Sequence, residues 1–101
     1  MSGVAADEAL KAVLKVAKGD EHISVLALVE YPDGATLKQR ESSVQAYLKF
    51  LDAEGVDVVV QSMPFSNIVK LEGVVQKIIR ALDNRYLVTS CINGDLDFEL
   101  L

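Results

Sequence analysis

The feature of this sequence that most constrains its fold is an almost continuous apolar run over residues 23–31. The run is rich in β-branched and large aliphatic side chains, and it lies between Asp20-Glu21 and the turn signal Pro32-Asp33-Gly34. A strand with one solvated face alternates apolar and polar residues, whereas a continuous run is typical of a strand covered on both faces. Residues 23–31 therefore predict a central strand.

An amphipathic helix is predicted before this strand, over residues 5–18. Its apolar positions follow helical spacing, and they are Leu10, Val13, Leu14 and Ala17. Acidic residues lie near its beginning and lysines near its end, which complements the helix dipole. The sequence therefore places one helix outside the strand-containing core.

The sequence of the segment after the turn fits more than one secondary structure. Residues 35–40 fit a returning hairpin strand, a helix capped by Thr36 with Gln39, or the approach to a helix capped later by Ser42 with Gln45. A helix is favoured because four apolar residues share one helical face, namely Leu37, Val44, Leu48 and Leu51. The helix is predicted to end at Glu54-Gly55.

The second half of the chain predicts a strand over residues 56–62 and another over residues 86–92. Between them, residues 66–83 fit either a single helix or a short strand at 68–72 followed by a helix at 74–83. The single helix would carry Gly73 in its interior, at a cost of about 1 kcal/mol relative to alanine. We prefer the strand and the helix, with Gly73 as the joint.

A C-terminal hairpin is predicted by Asn93-Gly94, which suits a two-residue type I′ turn. The return strand at 95–100 alternates apolar residues with Asp95, Asp97 and Glu99. A two-residue loop pairs Cys91 with Leu96, so the pattern predicts that Cys91 faces the core. The three acids would form a solubilising edge.

Taken together, these elements predict an α+β fold in one domain spanning residues 1–101. Its core, residues 23–92, has the βαββαβ order of a ferredoxin-like plait. The helix at 5–18 and the edge strand at 93–100 are additions to that core. If residues 66–83 form a single helix, the order becomes βαβαβ with parallel strands.

Composition excludes several classes of function. The formal net charge is −5, and the basic residues are dispersed, which disfavours nucleic acid and anionic membrane surfaces as partners. There is no signal-peptide pattern and no apolar stretch near the ~20 residues of a membrane span. The single cysteine suits a reducing compartment, so we expect a cytoplasmic protein.

Catalytic chemistry has few candidates in this chain. Cys91 is the only cysteine and His22 the only histidine. A cysteine in a core-facing register behaves as a small hydrophobe, and His22 lies in an acidic, solvated stretch. The six glycines are too dispersed for a phosphate-binding loop, and no metal-ligand spacing occurs. Binding is therefore favoured over catalysis, and no cofactor or metal is expected.

The candidate ligand site is the junction between the first strand and the next helix. A helix beginning there offers free backbone N–H groups and the positive end of its dipole to an anion. The expected ligand-binding residues are Glu30, Pro32, Asp33, Gly34 and Thr36.

Several of these residues also carry a family resemblance. Glu30, Pro32, Gly34 and Leu37, with the segments 53–58, 61–69 and 74–82, follow the pattern of ACT domains. Residues 23–92 thus resemble this family of small regulatory modules, which bind amino acids and other metabolites. The resemblance implies a ligand at the loop from Pro32 to Leu37, bound across the interface of a homodimer.

Two other resemblances compete with this one. Residues 63–73, with Val88-Thr89-Ser90, are similar to small thiamine-binding plait proteins. The opening helix, strand and Pro-Asp-Gly turn resemble roadblock-type adaptors, which are scaffolds for protein–protein interaction. The leading hypothesis is a non-catalytic, metabolite-binding regulatory domain that forms a homo-oligomer. The alternatives are a roadblock-like adaptor for protein–protein interaction or a thiamine-binding-like plait protein.

Overall fold

The computed structural model of the protein describes residues 4–62 and 67–92. Within these ranges the elements are α1 (Glu8–Val16), β1 (His22–Val29), α2 (Leu37–Ala53), β2 (Val59–Ser62), β3 (Ile68–Val74), α3 (Val75–Ala81) and β4 (Leu87–Ile92). The strands form one sheet in the order β2-β3-β1-β4, and every neighbouring pair is antiparallel. The fold is therefore α+β, and the parallel alternative is wrong.

The apolar run that begins at Ile23 forms β1, which lies between β3 and β4. The prediction of a central strand is thus confirmed. One side of β1 packs against a cluster to which all three helices contribute: Leu10 and Leu14 from α1, Val44, Tyr47 and Leu51 from α2, and Val75, Ile78 and Ala81 from α3. Val25, Ala27 and Val29 are the β1 members of that cluster.

The opposite side of β1 is different. Because side chains alternate along a strand, Leu26 and Leu28 point away from Val25 and Ala27. Neither Leu26, Leu28 nor Ile68 belongs to the helix-packed cluster. We call this side of the sheet the helix-free face, a name that refers to the part of the chain the structure describes.

The structure decides between the alternatives for the two segments that the sequence left ambiguous, residues 35–40 and 66–83. Helix α2 begins at Leu37 behind Thr36, so residues 35–40 do not form a hairpin strand. Residues 68–74 form β3 and residues 75–81 form α3, so a single helix over 66–83 is wrong. Gly73 pairs with Ile23 inside β3, where an added Cβ would lie 3.0 Å from the Val58 Cγ1 atom.

Segment 4–7, before α1, is tied to the rest of the fold through its backbone. The Ala5 amide donates to the Leu82 carbonyl, and the Asp7 amide donates to the Ser90 carbonyl, each at 2.8 Å. Ser90 is buried, and its hydroxyl donates to the Ala5 carbonyl. These bonds hold the N-terminal segment along β4.

The prediction that Cys91 faces the core is wrong. Cys91 pairs with Leu26 and is half-buried on the helix-free face. The register of β1 and β4 shifts at Leu28/Val29, because Thr89 pairs with Leu28 while Leu87 pairs with Val29. Val88 is the extra residue of this bulge, so Leu87 faces the core whereas Thr89 and Cys91 do not.

The predicted hairpin at Asn93-Gly94 and strand at 95–100, with its three acids, lie outside the described residues. Among the helices that the structure describes, none combines the length and apolar character needed to cross a membrane.

Candidate functional site

The candidate site begins where β1 ends, and hydrogen bonds fix that end firmly. The Val29 amide donates to the Asn67 carbonyl at 2.8 Å, and the Asn67 side-chain amide donates to the Val29 carbonyl at 2.9 Å. The Glu30 amide donates to the Tyr86 carbonyl at 2.9 Å. Asn67 directly precedes β3 and Tyr86 directly precedes β4, the two strands beside β1, so the loop after β1 starts from a rigid position.

The loop itself, residues 30–36, is a turn followed by a buried anchor. The Ala35 amide donates to the Pro32 carbonyl at 3.1 Å, which closes the turn. Gly34 has φ +74°, a left-handed conformation that side chains other than glycine adopt at a cost. Ala35 is buried against the body of the protein. The Pro-Asp-Gly signal therefore forms the turn that the sequence predicts.

Thr36 ends the loop and caps α2. Its hydroxyl oxygen accepts from the Gln39 amide at 3.2 Å, and the Gln39 side chain accepts from the Thr36 amide at 2.8 Å. This reciprocal pair is a capping box, which satisfies two of the four amides that a helix beginning leaves without helical partners. The amides that the box does not use are those of Leu37 and Lys38.

A cation lies beside the same loop. The Arg40 guanidinium carbon is 4.7 Å from the centre of the Tyr31 ring, within the range of a cation–π contact. The Arg40 Nε atom is buried and has no hydrogen-bond partner. Both side chains are half-buried, so the guanidinium is held against the ring.

The five predicted ligand-binding residues occupy this loop together, and all five are exposed: Glu30, Pro32, Asp33, Gly34 and Thr36. Their binding role stays a prediction. Sequence reasoning missed Arg40 and Tyr31. The signal for Arg40 is its spacing, because a residue four positions after the cap Thr36 lies on the same side of the helix.

The other residues that could take part in catalysis or bind a metal lie far apart in the described part of the chain. His22 is exposed at the start of β1, while Cys91 pairs with Leu26, four residues further along that strand. Four strand residues span about 13 Å, too far for a cysteine–histidine pair. Within residues 4–62 and 67–92 no cluster of three or more His, Cys, Asp or Glu side chains is placed to hold a metal ion.

Comparisons with protein-family models, with curated proteins and with solved structures find no match for this chain. The geometry of loop 30–36, which includes Tyr31, and of the adjacent Arg40 is therefore what indicates a function for this chain.

Proposed function

We propose that this chain is a non-catalytic regulatory domain that binds a small carboxylate metabolite, in the first instance an amino acid, at loop 30–36. We further propose that its core is a ferredoxin-like plait of ACT type. The order β1-α2-β2-β3-α3-β4 and the sheet order β2-β3-β1-β4 support that assignment. The single cysteine supports a reducing compartment such as the cytoplasm.

The observation that carries the proposal is the unpartnered Nε of Arg40. A guanidinium offers donors in a planar fork that matches a carboxylate, and Nε belongs to one bidentate edge of that fork. A buried donor without a partner costs about 1–3 kcal/mol. A ligand carboxylate that displaces the groups burying Nε and accepts from it removes this cost, so binding is favoured where Arg40 rests on Tyr31.

The charges around Arg40 favour a zwitterion over a simple anion. Glu30 and Asp33 are exposed carboxylates on the same loop, and they are natural acceptors for an α-ammonium group. The Leu37 and Lys38 amides at the beginning of α2 supply further donors for the carboxylate. An amino acid carries both charges, because its ammonium group and its carboxylate are bonded to the same carbon atom.

Isothermal titration calorimetry with the twenty amino acids tests this proposal. We expect one or a few to bind and Arg40→Lys to weaken binding by about tenfold or more, because lysine keeps the charge but loses the fork. Arg80→Lys is the matched control, since Arg80 is exposed on α3 and donates to the Glu54 carbonyl at 3.1 Å. The control should bind as the original chain does.

Two results would contradict the proposal. One is a folded protein that binds none of the twenty amino acids. The other is an Arg40→Lys variant whose affinity equals that of the Arg80→Lys control, because the guanidinium fork would then play no part in binding.

A second candidate function, association through the sheet edge, is favoured by β2. All four β2 residues are exposed, none is charged, and Val59 is 67 % exposed. Within the described residues β2 pairs only with β3. Uncharged edge strands are templates for pairing with another chain, either a second copy or a partner protein.

Analytical ultracentrifugation of Val60→Lys tests this candidate. A lysine on the edge should abolish pairing, so we expect a dimer for the original chain and a monomer for the variant. Val88→Lys, at an exposed position of β4, serves as the control and should stay dimeric. An original chain that is monomeric at high micromolar concentration and pulls down no partner would exclude edge pairing.

A further inference from the structure

The outer edge of β2 has the backbone groups and the side chains that a further strand would need. All four β2 residues are exposed and uncharged: Val59, Val60, Gln61 and Ser62. Each of them pairs with β3 on the inner side, and within residues 4–62 and 67–92 no strand pairs with the outer side. The backbone N–H and C=O groups of a strand point alternately to its two sides, so part of those of β2 are directed outward.

The two faces of β2 carry different residues, because successive side chains of a strand point to opposite faces. Residues directly opposite in paired strands share a face. Val60 lies opposite Leu71, a buried member of the helix-packed cluster, so Val60 is on the helix side of the sheet. The helix-free face carries Val59 opposite Glu72 and Gln61 opposite Lys70. The β2 edge thus presents an apolar residue on one face and uncharged residues flanked by charges on the other.

Two copies of this edge can pair about a twofold axis in two ways. An axis perpendicular to the sheet reverses the strand direction, so the two β2 strands are antiparallel and both helix layers lie on the same side. An axis along the strand gives parallel strands and puts the two copies of Val60 on opposite faces of the sheet. Antiparallel pairing is slightly more stable per residue, and it alone allows Val60 to lie opposite its own copy. The antiparallel arrangement is therefore favoured.

The length of β2 limits the antiparallel pairing to two registers. Because paired residues share a face, the twofold axis passes beside one residue that lies opposite its own copy. An axis at Val60 pairs residues 59–61 of one copy with residues 61–59 of the other, and an axis at Gln61 does the same for residues 60–62. An axis at either end of the strand leaves a single pair within Val59–Ser62. The choice is therefore between Val60 and Gln61.

The side chains on both faces favour the register at Val60. On the helix side, it puts Val60 against Val60 of the second copy, which removes apolar surface of both copies from water, whereas the register at Gln61 puts Val60 against Ser62. On the helix-free face, it gives a row of residues that begins with Glu72 of one copy and ends with Lys70 of the second copy. The register at Gln61 gives a row with Lys70 at both ends, and like charges repel.

We propose that a second copy of this chain occupies the β2 edge, paired antiparallel about a twofold axis with Val60 opposite Val60. Val59 and Val60 are 67 % and 37 % exposed, and this pairing covers part of both side chains. The inference rests on the sheet-edge association proposed above, and it adds the partner and the register. It is independent of ligand binding at loop 30–36.

Disulfide cross-linking of introduced cysteines tests the register, in full chains that carry Cys91→Ser so that the introduced thiol is the only one. Opposite residues of antiparallel strands have Cα atoms about 4.5–5.5 Å apart, which suits a disulfide. Under mild oxidation Val60→Cys should therefore form a covalent dimer about tenfold faster than Val59→Cys or Gln61→Cys. In these two controls each cysteine is displaced by two residues from its own copy, so the Cα atoms lie about 8 Å apart, beyond the reach of a disulfide. A mixture of the two control chains should form a mixed dimer, because residues 59 and 61 are opposite each other.

Non-reducing gel electrophoresis measures the rates, and circular dichroism verifies that each variant is folded, with Cys91→Ala replacing Cys91→Ser if the latter unfolds. In urea the three cysteine variants should cross-link at equal rates, because an unfolded chain has no register. For a chain that is dimeric in ultracentrifugation, equal rates in the folded state or fastest cross-linking by Gln61→Cys would overturn this inference and leave edge association intact. A monomeric chain whose β2 edge binds a different protein would also overturn it, because the occupant would not be a second copy. A monomeric chain without a partner would exclude edge association itself.

Discussion

Replacing Tyr47 by phenylalanine tests how α2 and α3 are held together. Tyr47 lies in α2, is 0 % exposed, and its hydroxyl donates to the Ala81 carbonyl at 2.7 Å. Ala81 is the last residue of α3, so this carbonyl is one of the acceptors that a helix end leaves without a helical partner. Tyr47 therefore caps the C-terminus of a neighbouring helix.

The magnitude follows from what the change removes. Phenylalanine keeps the ring and its contacts with Phe50 and Tyr86, whose ring centres lie 6.3 Å and 6.1 Å from that of Tyr47. Only the hydroxyl is lost, and the Ala81 carbonyl stays buried without its donor. An unsatisfied buried acceptor costs about 1–3 kcal/mol. For a chain of this length that lowers Tm by about 5–15 °C.

Urea unfolding followed by circular dichroism measures this difference at pH 7. Tyr31→Phe is the matched control, because Tyr31 is half-buried and contacts Arg40 through its ring. The control should stay within about 0.5 kcal/mol of the original chain. A Tyr47→Phe variant that is equally close to the original would refute the capping argument.

The pH dependence provides a second check. Burial, together with the negative charge of Asp83, raises the pKa of the Tyr47 phenol. A raised folded pKa gives stability that is complete below the unfolded value of about 10 and falls as pH rises above it. The destabilisation by Tyr47→Phe should therefore be constant from about pH 6 to 9 and should shrink in more alkaline solution.

Three further changes test other contacts. The hydrogen bonds and the charge of Arg85 lower the pKa of Asp83. Asp83→Asn should therefore destabilise the protein at pH 7. In unfolding experiments titrated with acid, the difference in stability between the two chains should disappear as pH falls below about 4. Thr36→Ala removes the hydroxyl half of the capping box, so urea unfolding should show a free energy of unfolding lower by about 1 kcal/mol. Ser43→Ala is the control, because the Ser43 hydroxyl donates to the Gln39 carbonyl within α2 and caps nothing. Gly55 has φ +65° after α2, so Gly55→Ala should cost about 1–2 kcal/mol in the same assay, and a neutral result would contradict the strain that the left-handed backbone implies.

Local signals in the sequence determined much of the fold. The cap at Thr36, the turn at Gly34 and the end of α2 at Gly55 depend on neighbouring residues, because capping and turn chemistry act over a few positions. The continuous apolar run of β1 correctly predicted an interior strand, although the helices of the described chain pack on only one of its two faces. Loop 30–36 was likewise predictable from the sequence, because its turn and its cap are local signals.

The tertiary structure alone decided three other features. The bulge at Val88 reverses the side on which Thr89 and Cys91 lie, and one extra residue in a strand leaves no mark in the alternation of the sequence. The exposed β2 edge depends on where the helices pack, which periodicity does not encode. The Nε of Arg40 is buried without a hydrogen-bond partner while its guanidinium lies over the Tyr31 ring, and such burial exists only once the chain has folded.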